Sequence, residues 1–421
     1  MMDNKRMYSS YFWNIMGSGA AAFSSVVLLI VVSRIMGAYV GGIYSFAYAM
    51  AQQWQTVGAY DMRTYQVTDV GEVYSFGTYY ASRILTCTVM LVGAVVFAFL
   101  HGGPWQEICL LILVAGIKLF DAAEDVFHGM FQQHDRLDWA GQALFFRTLV
   151  TTVVFVGVLY VVKDILLACM VAIVASAIAL YACNIPRAKT MTALRPNFQK
   201  KPLWGLLKAC FPLFLASFLL LYLYNAPKYS IERFLSKEYQ TYYSALFMPA
   251  SVINLFGGFA FKPLLTTLAK SWRDRQHKRF TGILLKGMGL CVGITVFVEA
   301  AAYFLGAPVL SWLYGISLHE YRTELLVLLA GGGISALNII LYNGLTVMRR
   351  QKAVLWAYAI TVVLSFLFSD LAVRQMGITG AVVLYLGLMA AMFLLLTAAT
   401  LYYVRRPSPK GNTVTMEKKD G

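Results

Sequence analysis

Apolar residues in this chain come in long unbroken runs rather than in the alternation of a half-buried strand or the narrow stripe of a surface helix. Twelve runs are readable. They cover Tyr11 to Ser33, Val40 to Tyr60, Arg83 to His101, Gln106 to His128, Ala140 to Val162 and Ile165 to Cys183. They continue over Leu203 to Ala226, Tyr239 to Phe261, Phe280 to Leu305, Leu325 to Val347, Ala353 to Val373 and Ile378 to Tyr403. A run of roughly 20 apolar residues crosses about 30 Å of hydrocarbon. Backbone groups inside lipid must bond within their own segment, so each run is predicted to be a transmembrane helix. The expected fold is therefore all-α and polytopic, with about twelve spans.

Composition sharpens that reading. Of the 421 residues 59% are hydrophobic and only 13% are charged, where a soluble domain carries roughly 25% charged residues. The connections between runs alternate between Lys/Arg-rich and Lys/Arg-poor. The rich set holds Arg63 and Arg83, Arg187 to Lys208, Lys262 to Lys286, Arg349 to Lys352 and Arg405 to Lys419. About 28 of the 35 Lys and Arg fall on that side. Lys and Arg are retained on the cytoplasmic face, which predicts a multi-pass protein of the cell membrane with both termini inside. The net charge of +15 then reflects this bias and contact with anionic headgroups, not a nucleic-acid partner. Nothing before the first run looks like a cleavable leader, so that run is expected to serve as an uncleaved anchor. The six cysteines lie in or beside apolar runs without a Cys-x-x-Cys pair, so they read as small hydrophobes rather than a disulfide framework or metal site.

The chain divides near its middle. Asn184 to Pro202 contains Pro186, Pro196 and Pro202 and few aliphatic residues. The expected organisation is a first six-helix lobe over residues 1–183, a cytoplasmic linker over 184–202, a second six-helix lobe over 203–404 and a disordered tail over 405–421. Paired halves of this kind place a substrate cavity at their interface. The halves share one weak likeness. A polar, basic stretch follows the second span (Asp61 to Arg83) and another follows the eighth (Pro263 to Arg279).

The fourth span carries an unusual density of charge: Lys118, Asp121, Glu124 and Asp125, followed by His128. Lys118, Asp121 and Asp125 are spaced i, i+3 and i+7 and share a helix face. Asp121 lies about 10 Å inside the cytoplasmic end, and Arg147 of the fifth span reaches a similar depth. Intramembrane charges face a bundle interior or a wet cavity. An interhelical ion pair accounts for part of the set; the surplus points to the wall of a transport cavity. Gln52, Gln53 and Gln55 surround Trp54 in the second span, where amides suit sugar hydroxyls or interhelical bonds equally. Lys286 either faces a substrate or snorkels to the surface. Glu299 is a weaker candidate for a coupling carboxylate. Pro212 and Pro249 are expected to interrupt the seventh and eighth spans, with Gly257 and Gly258 following. Gly289 and Gly293 have the spacing of close helix packing. The sequence has no G-x-x-x-x-G-K-[ST], no H-E-x-x-H and no G-x-S-x-G, so no enzyme chemistry is expected of it.

Two blocks carry a family resemblance. Val31-Val-Ser-Arg34-Ile-Met-Gly37 followed by Gly42-Ile-Tyr44-Ser-Phe46-Ala resembles the first-to-second-span signature of Wzx-type polysaccharide flippases. These belong to the multidrug/oligosaccharidyl-lipid/polysaccharide exporter superfamily. The block from Asp125 through Gly129, Gln132, Gln133, Arg136 and Asp138 to Gly141 and Arg147 is similar to the family's fourth-to-fifth-span loop. The resemblance implies two lobes in a V around a cationic central cavity. It implies export of a polyprenyl-diphosphate-linked oligosaccharide by alternating access, for lipopolysaccharide or other surface polysaccharide. It also implies an antiporter-like coupling ion, proton or sodium, and no other cofactor. Arg34 and Arg147 would touch diphosphate or acidic sugar. The substrate set is then Arg34, Gln52, Gln53, Arg147 and Lys286, and the coupling set is Lys118, Asp121, Glu124, Asp125 and Glu299. Implied partners are the lipid-linked oligosaccharide, membrane lipids, a polysaccharide polymerase and glycosyltransferases.

Two other functions fit a polytopic bundle. A cation-coupled multidrug exporter of the same superfamily would need a compact aromatic pocket with titratable carboxylates, for which Asp121 and Glu299 are available. A membrane-embedded polysaccharide polymerase or glycosyltransferase would need a large extracellular loop. The longest outer connections, Pro227 to Glu238 and Gly306 to Glu324, are short for that role.

Overall fold

A computed structural model of the chain describes residues 4–405 apart from Val70, Glu72, Lys262 and Pro263. The described residues form helices and connections without a strand. The order is α1 (Asn4–Ala59), α2 (Met62–Thr68), α3 (Phe76–His101), α4 (Trp105–Gln133), α5 (Leu137–Val162) and α6 (Ile165–Lys189). Then come α7 (Lys200–Phe234), α8 (Lys237–Phe261), α9 (Leu265–Arg273), α10 (His277–Tyr314), α11 (Arg322–Val347) and α12 (Gln351–Arg405).

Eight helices are long and apolar enough to cross a membrane. Two of these, α1 and α12, are each bent double at a glycine. Gly37 has φ 87° and Gly377 has φ 61°, both inside otherwise helical runs. Side-chain-bearing residues rarely adopt that backbone region, so the chain turns back there. The arms are α1a (4–36) and α1b (38–59), and α12a (351–376) and α12b (378–405). With α4 and α8, which have 29 and 25 residues, twelve rods of spanning length stand among the described residues. They form two six-rod lobes, α1–α6 and α7–α12, around a central cavity. All Lys/Arg-rich connections gather at one end, called here the basic end; the Gly37 and Gly377 turns lie at the far end.

Several boundaries differ from expectation. α3 begins at Phe76, seven residues before the predicted start, which sinks Arg83 two turns into the bundle. α7 continues eight residues past Ala226 to Phe234, and α10 continues to Tyr314. Both predicted outer loops are therefore largely helix. Pro212, Pro227 and Pro249 sit inside continuous helices, so the expected interruptions at Pro212 and Pro249 are absent; the surrounding turns hold each proline in place. α6 likewise runs through Pro186 to Lys189. Gly289 and Gly293 face open surface, with nothing near the position of an added Cβ. The close approach on α10 comes instead at Gly287, against the Phe261 ring. The tail beyond Arg405 and the surroundings of Gly258 lie outside the described residues. The basic stretches after the second and eighth rods each contain one short helix, α2 and α9.

The lobes meet along α1 on one side and α7 and α8 on the other. At Gly42 an added Cβ would collide with the Lys237 backbone carbonyl. That absence lets α1b and α8 touch: Ser45 and Ser244 hydroxyls are 2.5 Å apart, and Thr241 donates to the Ala38 carbonyl at 2.6 Å. The far end is closed by these contacts. At the basic end Met62, Tyr79 and Phe131 of the first lobe pack with Leu206 and Cys210 of α7.

Candidate functional site

Two adjoining chambers lie on the α1 side of the interface. The first, about 380 Å³, is inside the first lobe and is lined by α1, α4 and α5. It contains the charged ladder of α4. Arg147 Nη2 donates to Asp121 Oδ1 at 2.5 Å and to Glu124 Oε1 at 2.6 Å, and Nη1 donates to Ser176 at 3.1 Å. Lys118 donates to the other Asp121 oxygen at 2.7 Å and lies 4.6 Å from the Tyr48 ring centre. Asp125 turns away from this group. It accepts from Arg83 at 2.8 Å and sits 3.7 Å from Arg63. Arg83 also donates to the Gly58 carbonyl at 2.6 Å. Every carboxylate of α4 thus has a basic partner. The shared helix face of Lys118 and Asp121 is real, and Asp125 belongs to a separate pair because α3 enters the bundle early. Glu124 Oε2 and His128 Nε2 remain without hydrogen bonds, 3.7 Å apart. Such orphaned buried polar atoms are uncommon and costly.

The second chamber, about 420 Å³, lies between the lobes. Ser25, Tyr44, Tyr48 and Gln52 line both chambers and join them. The second lobe contributes Tyr224, Asn225, Lys228, Ser244, Ser251 and Asn254. Lys228 is the one ionic side chain in this lining, and its ammonium has no hydrogen bond or ion pair among the described residues. A lone cation withdrawn from bulk water is unfavourable unless an anion or polar ligand meets it. The chain sequence placed Lys228 in an outer loop because Pro227 looked like the end of a span. Continuation of α7 through Pro227 carries it inside.

The remaining candidates divide by location. Gln52 faces both chambers and Gln55 the first. Gln53 is buried in the contact between α1b and α7, donating to the Phe218 carbonyl at 3.0 Å. Arg34 does not reach either chamber. It is exposed at the far end, donates to the Leu313 carbonyl at 2.8 Å and to that of Trp312, and lies over the Trp312 ring. These carbonyls end α10, where a positive charge is favoured, so Arg34 joins the first lobe to the second. Lys286 is exposed on the outer face of α10 and Glu299 is half-buried on the same helix. Neither has an ion-pair partner among the described residues or lines the chambers. The positions of Arg34 and Lys286 correct the expectation that they face a common cavity: α10 packs at the rim of the interface, and only its end reaches α1.

The geometry is that of a polytopic transporter fold, two helical lobes around a polar cleft. The chain belongs to the polysaccharide biosynthesis protein family, whose model matches residues 8–268. No curated protein sequence matches it. Among solved structures it is similar to the lipid II flippase MurJ in an inward closed conformation (TM-score 0.71, 13% identity, 95% of this chain and 88% of that one). It is also similar to the MATE transporter VcmN of Vibrio cholerae (TM-score 0.62, 12% identity, 95% and 96%). A third is an inward-facing multidrug resistance MATE family transporter of the MOP superfamily (TM-score 0.61, 13% identity, 97% of both chains). At these identities the likeness is one of fold.

Proposed function

We propose that the protein flips a polyprenyl-diphosphate-linked oligosaccharide across the cytoplasmic membrane by alternating access, supplying assembly of a surface polysaccharide. The carrying observation is the chamber between the lobes: hydroxyls and amides around a single unpaired cation, Lys228. Amides and hydroxyls exchange hydrogen bonds with sugars as water does, and a lysine meets phosphate as a point charge. A headgroup with several sugars cannot cross hydrocarbon unaided, since each unsatisfied polar group costs several kcal/mol. The Lys/Arg distribution supports an orientation with the basic end and both termini in the cytoplasm.

Coupling to a proton or sodium ion belongs to the proposal. Asp121 and Asp125 are committed to basic partners, whereas Glu124 keeps a free oxygen beside His128. Glu124 is the better placed coupling group, and Glu299 lies away from the path. A drug exporter is disfavoured because no carboxylate among the described residues lines the chamber between the lobes, and those of the adjoining chamber are ion-paired to Lys118, Arg147 and Arg83. A polymerase is disfavoured because the far-end links are as short as Leu235 and Ser236. Polymerase and glycosyltransferases remain proposed partners in the same assembly line.

The test is a flipping assay with lipid-linked oligosaccharide in vesicles. Lys228→Met should lower the rate by about tenfold or more, the loss expected for one charge-assisted contact, and Lys228→Arg should retain most of it. Unchanged flipping by Lys228→Met would remove the carrying observation.

A further inference from the structure

No Asp or Glu occurs between Asp164 and Glu232, a stretch that includes the whole connection between the lobes. Within it the linker and the start of α7 carry Arg195, Lys200, Lys201 and Lys208. All four are exposed, and none has an ion pair or side-chain hydrogen bond among the described residues. Two aromatic rings stand among them: Phe198 is 54% exposed and Trp204 is 68% exposed.

The local structure makes this a fixed strip rather than a loose tether. The Asn197 N–H donates to the Gly77 carbonyl at 2.8 Å, and the Asn197 side chain accepts from the Gln199 N–H at 3.1 Å. A Cβ on Gly77 would lie 2.7 Å from the Arg195 carbonyl oxygen, so this glycine lets the linker rest on the start of α3. Leu203, Leu206, Leu207 and Cys210 are the buried face of α7, and Leu206 and Cys210 pack with Met62 and Tyr79 of the first lobe. Lys201, Trp204 and Lys208, spaced i, i+3 and i+7, share a different face, which is exposed.

Charge and position decide what this face meets. Cations without a carboxylate among them repel one another and attract anions. They lie at the end of a membrane span, where phospholipid phosphates are at hand, and each such residue strengthens attachment to an anionic lipid surface about fivefold. Exposed aromatic rings suit the headgroup level of a bilayer, whereas a soluble anion gains nothing from them. The corresponding region of the second lobe is built differently. α9 and the start of α10 are basic too, but Asp274 stands among those cations, 3.2 Å from Arg273. Its tryptophan, Trp272, packs on Phe280 with ring centres 5.0 Å apart.

We propose that the outward face from Arg195 to Lys208 is a docking strip for anionic phospholipid headgroups of the basic-end leaflet, and that a lipid seated there clamps the inter-lobe linker onto the first lobe. Such docking is independent of what the chambers carry.

The test uses the full chain in a neutral detergent with added phosphatidylglycerol or phosphatidylcholine of the same acyl chains, and native mass spectrometry to count bound lipid. Phosphatidylglycerol should bind more tightly than phosphatidylcholine and should raise the melting temperature. Lys200→Gln/Lys201→Gln/Lys208→Gln should weaken phosphatidylglycerol binding about tenfold or more and abolish the rise in melting temperature. Lys200→Arg/Lys201→Arg/Lys208→Arg should keep both. Lys270→Gln/Lys278→Gln/Arg279→Gln removes as many exposed cations from the second lobe and should also keep both. A phosphatidylglycerol with a photoreactive headgroup should label the stretch around Phe198 and Trp204. Equal affinity for the two lipids overturns the strip, because no charge selectivity is then left. An equal loss in the second-lobe variant overturns it in favour of a general effect of the basic end. Competition by soluble glycerol phosphate at the same concentration overturns it in favour of a site for any anion. Should the glutamine variant fail to fold, the photoreactive lipid decides on the parent chain, and labelling confined to other stretches overturns the strip.

Discussion

Arg147 is the residue on which the first lobe turns. It is almost fully buried, and one guanidinium nitrogen serves two carboxylates. Asp121 keeps Lys118 as a second partner, whereas Glu124 has no other ion-pair partner among the described residues than His128 when protonated. Breaking a buried pair by removing one member costs about 3–5 kcal/mol because a charge is left uncompensated. Arg147→Ala should therefore lower the melting temperature in detergent sharply. Adding Glu124→Gln should restore more of it than adding Asp121→Asn, since Asp121 is not left alone. Equal rescue by the two double variants would show that the charge is shared differently. This pair was legible in the sequence because matched depth on adjacent antiparallel helices is simple arithmetic. The family-like block around it is also explained locally: Gln132 accepts from Arg63, Gln133 donates to the Asp69 carbonyl, Arg136 pairs with Asp138, and Gly141 admits the α1 backbone at Trp13. Those residues build the basic end of the lobe, so their pattern announces the fold rather than the ligand. Lys228 left no comparable trace. A lysine after a proline at the end of an apolar run has the sequence character of a loop, and only the continuation of α7 through that proline reveals it.

Elements were read correctly where hydropathy alone decides them and missed where packing does. The twelve apolar runs correspond to the twelve rods because lipid demands internally bonded segments. Their ends shifted where polar residues remain helical under protein cover, as at Phe76 to Ser82 in α3 and Pro227 to Phe234 in α7. The short helices α2 and α9 are amphipathic pieces too brief for a periodic signal. The α1b–α8 contact depends on a single glycine. Gly42 lies against the Lys237 carbonyl, and a Cβ there has nowhere to go. Replacing it should push the helices apart and separate Ser45 from Ser244. The double variant Ser45→Cys/Ser244→Cys should cross-link readily under mild oxidation, since the two hydroxyl oxygens already touch. The same pair on a Gly42→Val background should cross-link far more slowly, by gel shift of a protein cleaved between the lobes. Equal cross-linking rates would mean that the α1b–α8 contact does not depend on Gly42.

At the scale of the molecule, the far end is held by a charged latch between the lobes. Lys237, at the start of α8, bonds Glu107 of α4 at 3.0 Å and also Glu232 at the end of α7. His101 of α3 lies 3.4 Å from Glu232, and Tyr39 of α1b donates to Glu107 at 3.4 Å. Arg34 adds its bonds to the end of α10 on the other flank. None of this was visible in the sequence, because each partner sits at a helix end far away along the chain and looks like an ordinary interfacial charge. If the protein works by alternating access as proposed, this latch must break when the far end opens, and its strength then sets the balance between the two states. A coupling of about 1–3 kcal/mol shifts such a balance by roughly 5–150-fold. Removing the charge of Glu107 and Lys237 together, with Glu107→Gln and Lys237→Met, leaves neither of that pair alone, keeps His101 and Gln240 beside Glu232, and favours the state open at the far end. A cysteine placed at Gln52, inside the joined chambers, reports on this. It should react slowly with a membrane-impermeant maleimide added outside cells when the latch is intact, and several-fold faster when it is removed. Arg34→Ala should act in the same direction, while Arg34→Lys, which still reaches a carbonyl, should act weakly. Labelling at Gln52 that stays slow in the double variant would show that the far end is kept shut without this ion-pair cluster, by the contacts of Gly42, Ser45 and Arg34.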